Sequence, residues 1–137
     1  MEKKVKYLVD TNIWLERLLN QEKSEIVKKF LDSVPTKQLF ISDFAVHSIG
    51  VILNRLKKDE TFIKLIDDIF VEGQIEMLSL NTMDLIEVVD NIMQYKLDFD
   101  DAYQLAFANK YDLTVVTFDK DFNIEGVKKN SHEQLLR

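Results

Sequence analysis

Lys6-Tyr7-Leu8-Val9-Asp10-Thr11-Asn12 decides how the rest of the chain is read. Tyr7, Leu8 and Val9 form an apolar run without helical spacing, the mark of a short strand buried on both faces of a parallel sheet. The run ends on an acid and two polar residues. The same grammar repeats outward from it. Lys6–Asp10, Gln38–Ser42, Ile75–Leu80 and Leu113–Phe118 read as strands, with Gly126–Lys129 as a short fifth. Helices are expected at about Ile13–Leu19, Ser24–Ser33, Asp43–Lys57, Asp59–Phe70, Thr82–Tyr95 and Asp100–Asn109, and a closing helix at Ser131–Leu136. Ser24, Ser42 or Asp43, Asp59 and Thr82 stand where helix caps belong. Strands alternating with helices pair in parallel through right-handed crossovers. The expected fold is therefore α/β: a single three-layer domain over residues 1–137, its parallel sheet of four or five strands flanked by helices.

Composition agrees and excludes several classes. A chain of 137 residues has room for one core, and 46% apolar with 31% charged residues is not the composition of a disordered chain. Only 3 Gly and 1 Pro disfavour a turn-rich all-β fold. The absence of Cys removes disulfides, thiolate metal sites and a cysteine nucleophile. With 24 acidic against 18 basic side chains the net charge is −6, which speaks against holding nucleic acid by bulk electrostatics. No apolar run approaches the roughly 20 residues that span a bilayer, so no membrane association is expected. Met1-Glu2-Lys3-Lys4-Val5-Lys6 leads into no apolar signal core, and the expected location is cytoplasmic.

In a parallel α/β sheet, ligands bind beyond the carboxyl ends of the strands. Asp10 ends the first strand, Asp119 follows Val116-Thr117-Phe118, and Asp101 opens the helix between them. Six acids and two lysines lie between Asp98 and Asp121, so the acid surplus is concentrated here. Carboxylates brought together repel one another, and a hard cation such as Mg²⁺ is their natural neutraliser. Each acid also has a plainer reading: Asp10 as a turn cap, Asp101 (like Asp98 and Asp100) as a partner of the helix dipole, Asp119 as a turn residue and Asp121 as a surface acid. The set is more telling than any member.

The ordered trio Asp10-Thr11-Asn12, Asp101-Ala102-x-x-x-Ala106 and Thr117-x-Asp119-x-x-Phe122 resembles the PIN-domain nucleases, most closely the small VapC-type toxins of toxin–antitoxin pairs. The resemblance implies a PIN-like fold and an acidic pocket in which Asp10, Asp101 and Asp119 hold Mg²⁺ or Mn²⁺. It also implies hydrolysis of RNA phosphodiester bonds, an antitoxin protein as partner, and a homodimer. One departure stands out. The family carries a glutamate about six residues past a strand-end serine, yet Ile41-Ser42-Asp43-Phe44-Ala45-Val46-His47-Ser48 has Ser48 there and His47 one position before. Either could serve the site, Ser48 through a water and His47 as a ligand or phosphate contact. Equally, Ser48 beside Gly50 could allow close helix packing, and His47 could pair with Asp43 on the helix surface. The missing acid also fits a PIN-like module that has lost catalysis and acts through protein or RNA binding.

Thr11 and Thr117 flank the acids, and Asn12 reads either as an orienting residue or as a helix N-cap. Tyr103 and Phe107 read as core. Two other strand-end acid designs fit less well. A receiver domain wants an acid pair where Val9 precedes Asp10, and haloacid-type phosphatases want an acid where Asn12 stands.

Overall fold

The computed structural model describes residues 4–118 and the strand pairing of residues 129 and 130. Its elements run β1 (Tyr7–Val9), α1 (Thr11–Leu18), α2 (Ser24–Ser33), β2 (Leu39–Ser42), α3 (Asp43–Arg55), α4 (Asp59–Ile66), β3 (Glu76–Leu78), α5 (Asp84–Tyr95), α6 (Phe99–Tyr111), β4 (Thr114–Val116) and β5 (Lys129–Asn130). The sheet order is β3-β2-β1-β4-β5, and every neighbouring pair is parallel. The fold is thus the α/β layering expected.

The pleat of the strands sorts side chains between two helical layers. Leu8, Phe40, Leu78 and Val115 face α5 and α6, joining Val88, Leu105 and Phe107 in one core. Val9, Leu39, Ile41 and Val116 face the other way, against Ile13, Trp14, Val27, Ile49, Leu53 and Leu65 from α1 to α4. Adjacent residues of β1 therefore serve opposite cores, which is why that strand reads as continuously apolar.

Strand register positions the site. Tyr7 lies opposite both Leu39 and Thr114, and Val9 opposite Val116. The Asp10 amide donates to the Val116 carbonyl at 2.9 Å. The chain leaves β1 toward β2 on one side and returns to β4 on the other, so a crevice opens at their carboxyl ends.

Several boundaries differ from expectation. Asp10 is the N-cap of α1, its carboxylate accepting from the Thr11 amide; Asn12 lies inside the helix and is not its cap. Ser42 caps α3 through the Ala45 amide. Ser24 does not cap α2, and its hydroxyl accepts from Arg17 Nη1. Asp59 takes a hydrogen bond from Asn54 and caps nothing. At α5 the reciprocal pair Asn81 and Asp84 displaces Thr82, each side chain accepting from the other's amide. The helix expected over Asp59–Phe70 keeps α geometry to Ile66 and then widens into a π turn over Asp67–Glu72. Gly73 closes that turn at a spot where a Cβ would sit 2.6 Å from the Asp68 carbonyl oxygen. The fifth strand falls at Lys129–Asn130, later than Gly126–Lys129. The closing helix expected at Ser131–Leu136 lies outside the described residues.

Candidate active site

Two helices begin where strands end, and a third, α6, opens after α5 with its N-terminus on the same cleft. Asp10 caps α1 directly after β1, Ser42 caps α3 directly after β2, and Asp98 caps α6 through the Asp101 amide at 2.9 Å. Asp10 and Thr11, Phe44 and Ser48, and Asp100 and Asp101 from these helices line one open cleft of about 330 Å³. Helix N-termini carry partial positive charge, which favours carboxylates and phosphates near them.

Asp10 and Asp101 are 8% and 6% exposed and share this cleft, as their places at the sheet edge anticipate. Burying two carboxylates is costly without compensating donors or a cation. At Asp10 the donors are visible. Oδ1 accepts from the Thr11 amide at 2.8 Å and from Gln104 Nε2 at 2.9 Å, and Oδ2 accepts from Thr117 Oγ1 at 2.8 Å. Asn12 Nδ2 donates in turn to Thr117 Oγ1 at 3.1 Å, while its Oδ1 accepts from the Phe118 amide at 3.3 Å. Donors of this kind stabilise the ionised carboxylate. Asn12 and Thr117 are therefore tied to Asp10, and Thr11 supplies its amide; the Thr11 hydroxyl is buried without a hydrogen-bond partner.

Helical phase separates His47 from Ser48. Phe44, Ser48 and Ile52 recur at four-residue steps and line the cleft together, whereas His47 is exposed and does not line it. The helix after β2 thus offers the cleft a hydroxyl where the resemblance leads one to expect an acid. Asp119 and Asp121 lie outside the described residues. Leu15, Phe44 and Ile52 add apolar walls.

Besides these apolar walls, two polar cleft residues were not anticipated from the sequence. Asp100 lines the rim. Gln104, 1% exposed, bonds Asp10 on one side and accepts from Ser42 Oγ at 2.8 Å on the other. Its signal was present: it lies one helical turn after Asp101, on the same face of an apolar helix. Tyr103 is half-buried against Phe44, with ring centroids 5.4 Å apart; burial and then the Asp43 charge hold its phenol above the ordinary value. Another acid group, Asp67, Asp68 and Glu72, brings its oxygens within 4.8 Å of one another on the exposed π turn, away from the cleft lining.

The oxygens that the described cleft residues offer belong to carboxylates, hydroxyls and the Asn12 and Gln104 amides, the hard set preferred by Mg²⁺ and Mn²⁺. In this respect the residues fit a divalent cation.

Comparison with known proteins agrees with this fold. The PIN domain family model matches residues 7–124. No curated protein matches the sequence. The fold is similar to that of VapC20 from Mycobacterium tuberculosis, described as a sarcin–ricin loop cleaving toxin, with TM-score 0.74 and 16% identity over 89% of this chain and 96% of that one. DNA-bound VapBC from Salmonella typhimurium gives TM-score 0.74 and 18% identity over 94% and 99%. FitAcB from Neisseria gonorrhoeae gives 0.73 and 20% over 93% and 98%. At such identities the likeness is one of fold.

Proposed function

Because the chain belongs to the PIN domain family, we propose that it is a metal-dependent endoribonuclease and the toxin of a toxin–antitoxin pair, formed by one domain over residues 1–137. The observation that carries this reading is the pairing of buried Asp10 and Asp101 in one cleft at the sheet's switch point. Asp10 and Asp101, with Asp119 from the segment after β4, would hold Mg²⁺ or Mn²⁺. When bound there, the ion would supply Lewis acidity toward the scissile phosphate and offset charge that develops on it. The chain's own part is positional. Thr11, Gln104 and Thr117 aim the Asp10 carboxylate, and the apolar side chains of Leu15, Phe44 and Ile52 narrow the cleft. Hydrolysis of this type leaves 5′-phosphate and 3′-hydroxyl ends.

The partners follow from the same reading. RNA is the substrate, held mainly through the ion and a few contacts, because the chain's net charge of −6 repels phosphate. Another protein of similar fold, from Klebsiella pneumoniae, is described as a toxin–antitoxin complex, and a basic antitoxin whose Arg enters the acidic cleft suits this chain. A second copy of the chain is the other partner, with α5 as the contact face. The site of action is the cytoplasm; among the described residues no helix is long and apolar enough to cross a membrane.

Purified protein incubated with RNA should cleave it with Mg²⁺ or Mn²⁺ and stop with EDTA. Asp10→Asn should lower the rate at least a hundredfold. Cleavage that persists in EDTA, or in Asp10→Asn, would remove the assignment. A wild type that binds no Mn²⁺ at millimolar concentration and cuts nothing would favour the non-catalytic module, a reading motivated by Ser48 where the family has an acid.

A further inference from the structure

We infer that Gln104 is a positioning residue that aims the Asp10 carboxylate and fixes its spacing from Asp101. The inference rests on the proposed cation site.

Hydrogen-bond polarity orients the amide. The Ala45 amide donates to Ser42 Oγ at 2.9 Å, so the serine's one hydroxyl proton is free to go elsewhere, and it goes to Gln104 Oε1 at 2.8 Å. With its oxygen engaged by Ser42, the Gln104 amide must present Nε2 to Asp10, which it does at 2.9 Å. A flipped amide would set its oxygen against the carboxylate, two acceptors face to face in a buried space. On the opposite side the Phe118 amide donates to Asn12, Asn12 donates to Thr117, and Thr117 donates to Asp10 Oδ2. Two donor chains, each starting at a backbone amide, thus converge on the two oxygens of one carboxylate.

Gln104 differs from Thr117 in where it is anchored. It sits on α6 three residues after Asp101, so its bond ties the helix bearing one acid to the strand end bearing the other. It also reaches β2 through Ser42. Loss of the donor loosens the hold on Asp10 Oδ1, which keeps the Thr11 amide, and unlinks the two acids, without removing either ligand.

The test compares wild type with Gln104→Met, which keeps length and volume but has no donor, and Gln104→Glu, which keeps shape but replaces the donor with an acceptor. Mn²⁺ affinity is measured by titration calorimetry, folding by melting in EDTA, and kcat and KM on RNA separately. Outer partners of metal ligands typically contribute about 10–100-fold to affinity or activity. Gln104→Met should melt within a few degrees of wild type, bind Mn²⁺ about tenfold or more weakly, and lose kcat with KM for RNA little changed. Gln104→Glu should bind more weakly still if it donates nothing to Asp10. Should Gln104→Met fail to fold, wild-type NMR decides: the Gln104 side-chain amide should be slow to exchange and should shift in Asp10→Ala. Wild-type Mn²⁺ affinity and kcat in a folded Gln104→Met, or a fast-exchanging Gln104 amide, overturns this inference alone. Absence of Mn²⁺ binding by the wild type overturns the proposed function and this inference with it.

Discussion

Ser48 stands on the cleft face of α3, four residues after Phe44 and four before Ile52. A carboxylate there would enter a space already shared by Asp10 and Asp101. We expect Ser48→Glu to strengthen Mn²⁺ binding, because an added unit charge about 4 Å from a divalent cation contributes roughly 2–8 kcal/mol, before desolvation, between bulk-water and near-surface dielectric. Calorimetry should show at least a fivefold gain, and a weaker site would mean that Ser48 is turned from the ion. His47→Ala should leave that affinity unchanged, since His47 is exposed outside the lining. That Asp10 and Asp101 would share a cleft was legible, because ligand crevices in a parallel sheet lie beyond the carboxyl ends of its strands. Whether His47 or Ser48 reached the cleft was not, because a one-residue slip in helix phase turns a side chain by roughly 100°. The place of Gln104 on the Asp101 face of its helix could be read from spacing, but its role could not, because that lies in two partners, Ser42 and Asp10, far from it in the chain.

At the scale of elements, α5 and α6 form a helical hairpin on one face of the sheet, clasped outside the core by Lys110 donating to Asp84. Asp84 also accepts the Asn81 amide at the start of α5. Its pKa is lowered below 3.8, first by the Lys110 hydrogen bond and then by the Asn81 amide; Lys110 is raised above 10.5, first by Asp84. The sign follows. A depressed acid contributes stability that is present above its unfolded pKa of 3.8 and lost as pH falls through its lower folded pKa. The raised lysine contributes below 10.5 and loses its contribution as pH rises through its higher folded value. Asp84→Asn should therefore lower the melting temperature at neutral pH, with the difference from wild type shrinking below about pH 3.8. An equal difference at pH 7 and pH 2.5 would assign the effect to shape instead of charge. The helices themselves were readable from apolar periodicity, and Ser42 from its capping chemistry. The π turn was not, because Asp67–Glu72 continues the helical spacing of α4 while its backbone widens.

Across the whole molecule, α5 is built the wrong way round for a surface helix. Its buried residues include Val88 and a polar Asn91, while Ile86 and Met93 are 57% and 76% exposed, with Leu85 and Val89 exposed beside them. Periodicity shows which residues share a face, but not which face turns inward. Thr82–Tyr95 could therefore be read as a helix without revealing this surface. Ile86, Val89 and Met93 recur at three- and four-residue steps, so they form one stripe. An apolar stripe of this kind marks a protein contact, and two antiparallel copies of α5 can cover each other in a two-fold, self-complementary way. The stripe lies on the helical layer of α5 and α6, and its residues do not line the Asp10 cleft. Dimerisation and cation binding should then be separable. Light scattering after size exclusion should give twice the mass of one chain at micromolar concentration, and Val89→Asp should halve it by placing a charge where the copies meet. The same variant should bind Mn²⁺ as wild type does. A wild type that runs as a monomer would remove the dimer, and a Val89→Asp that stays dimeric and folded would move the contact off α5.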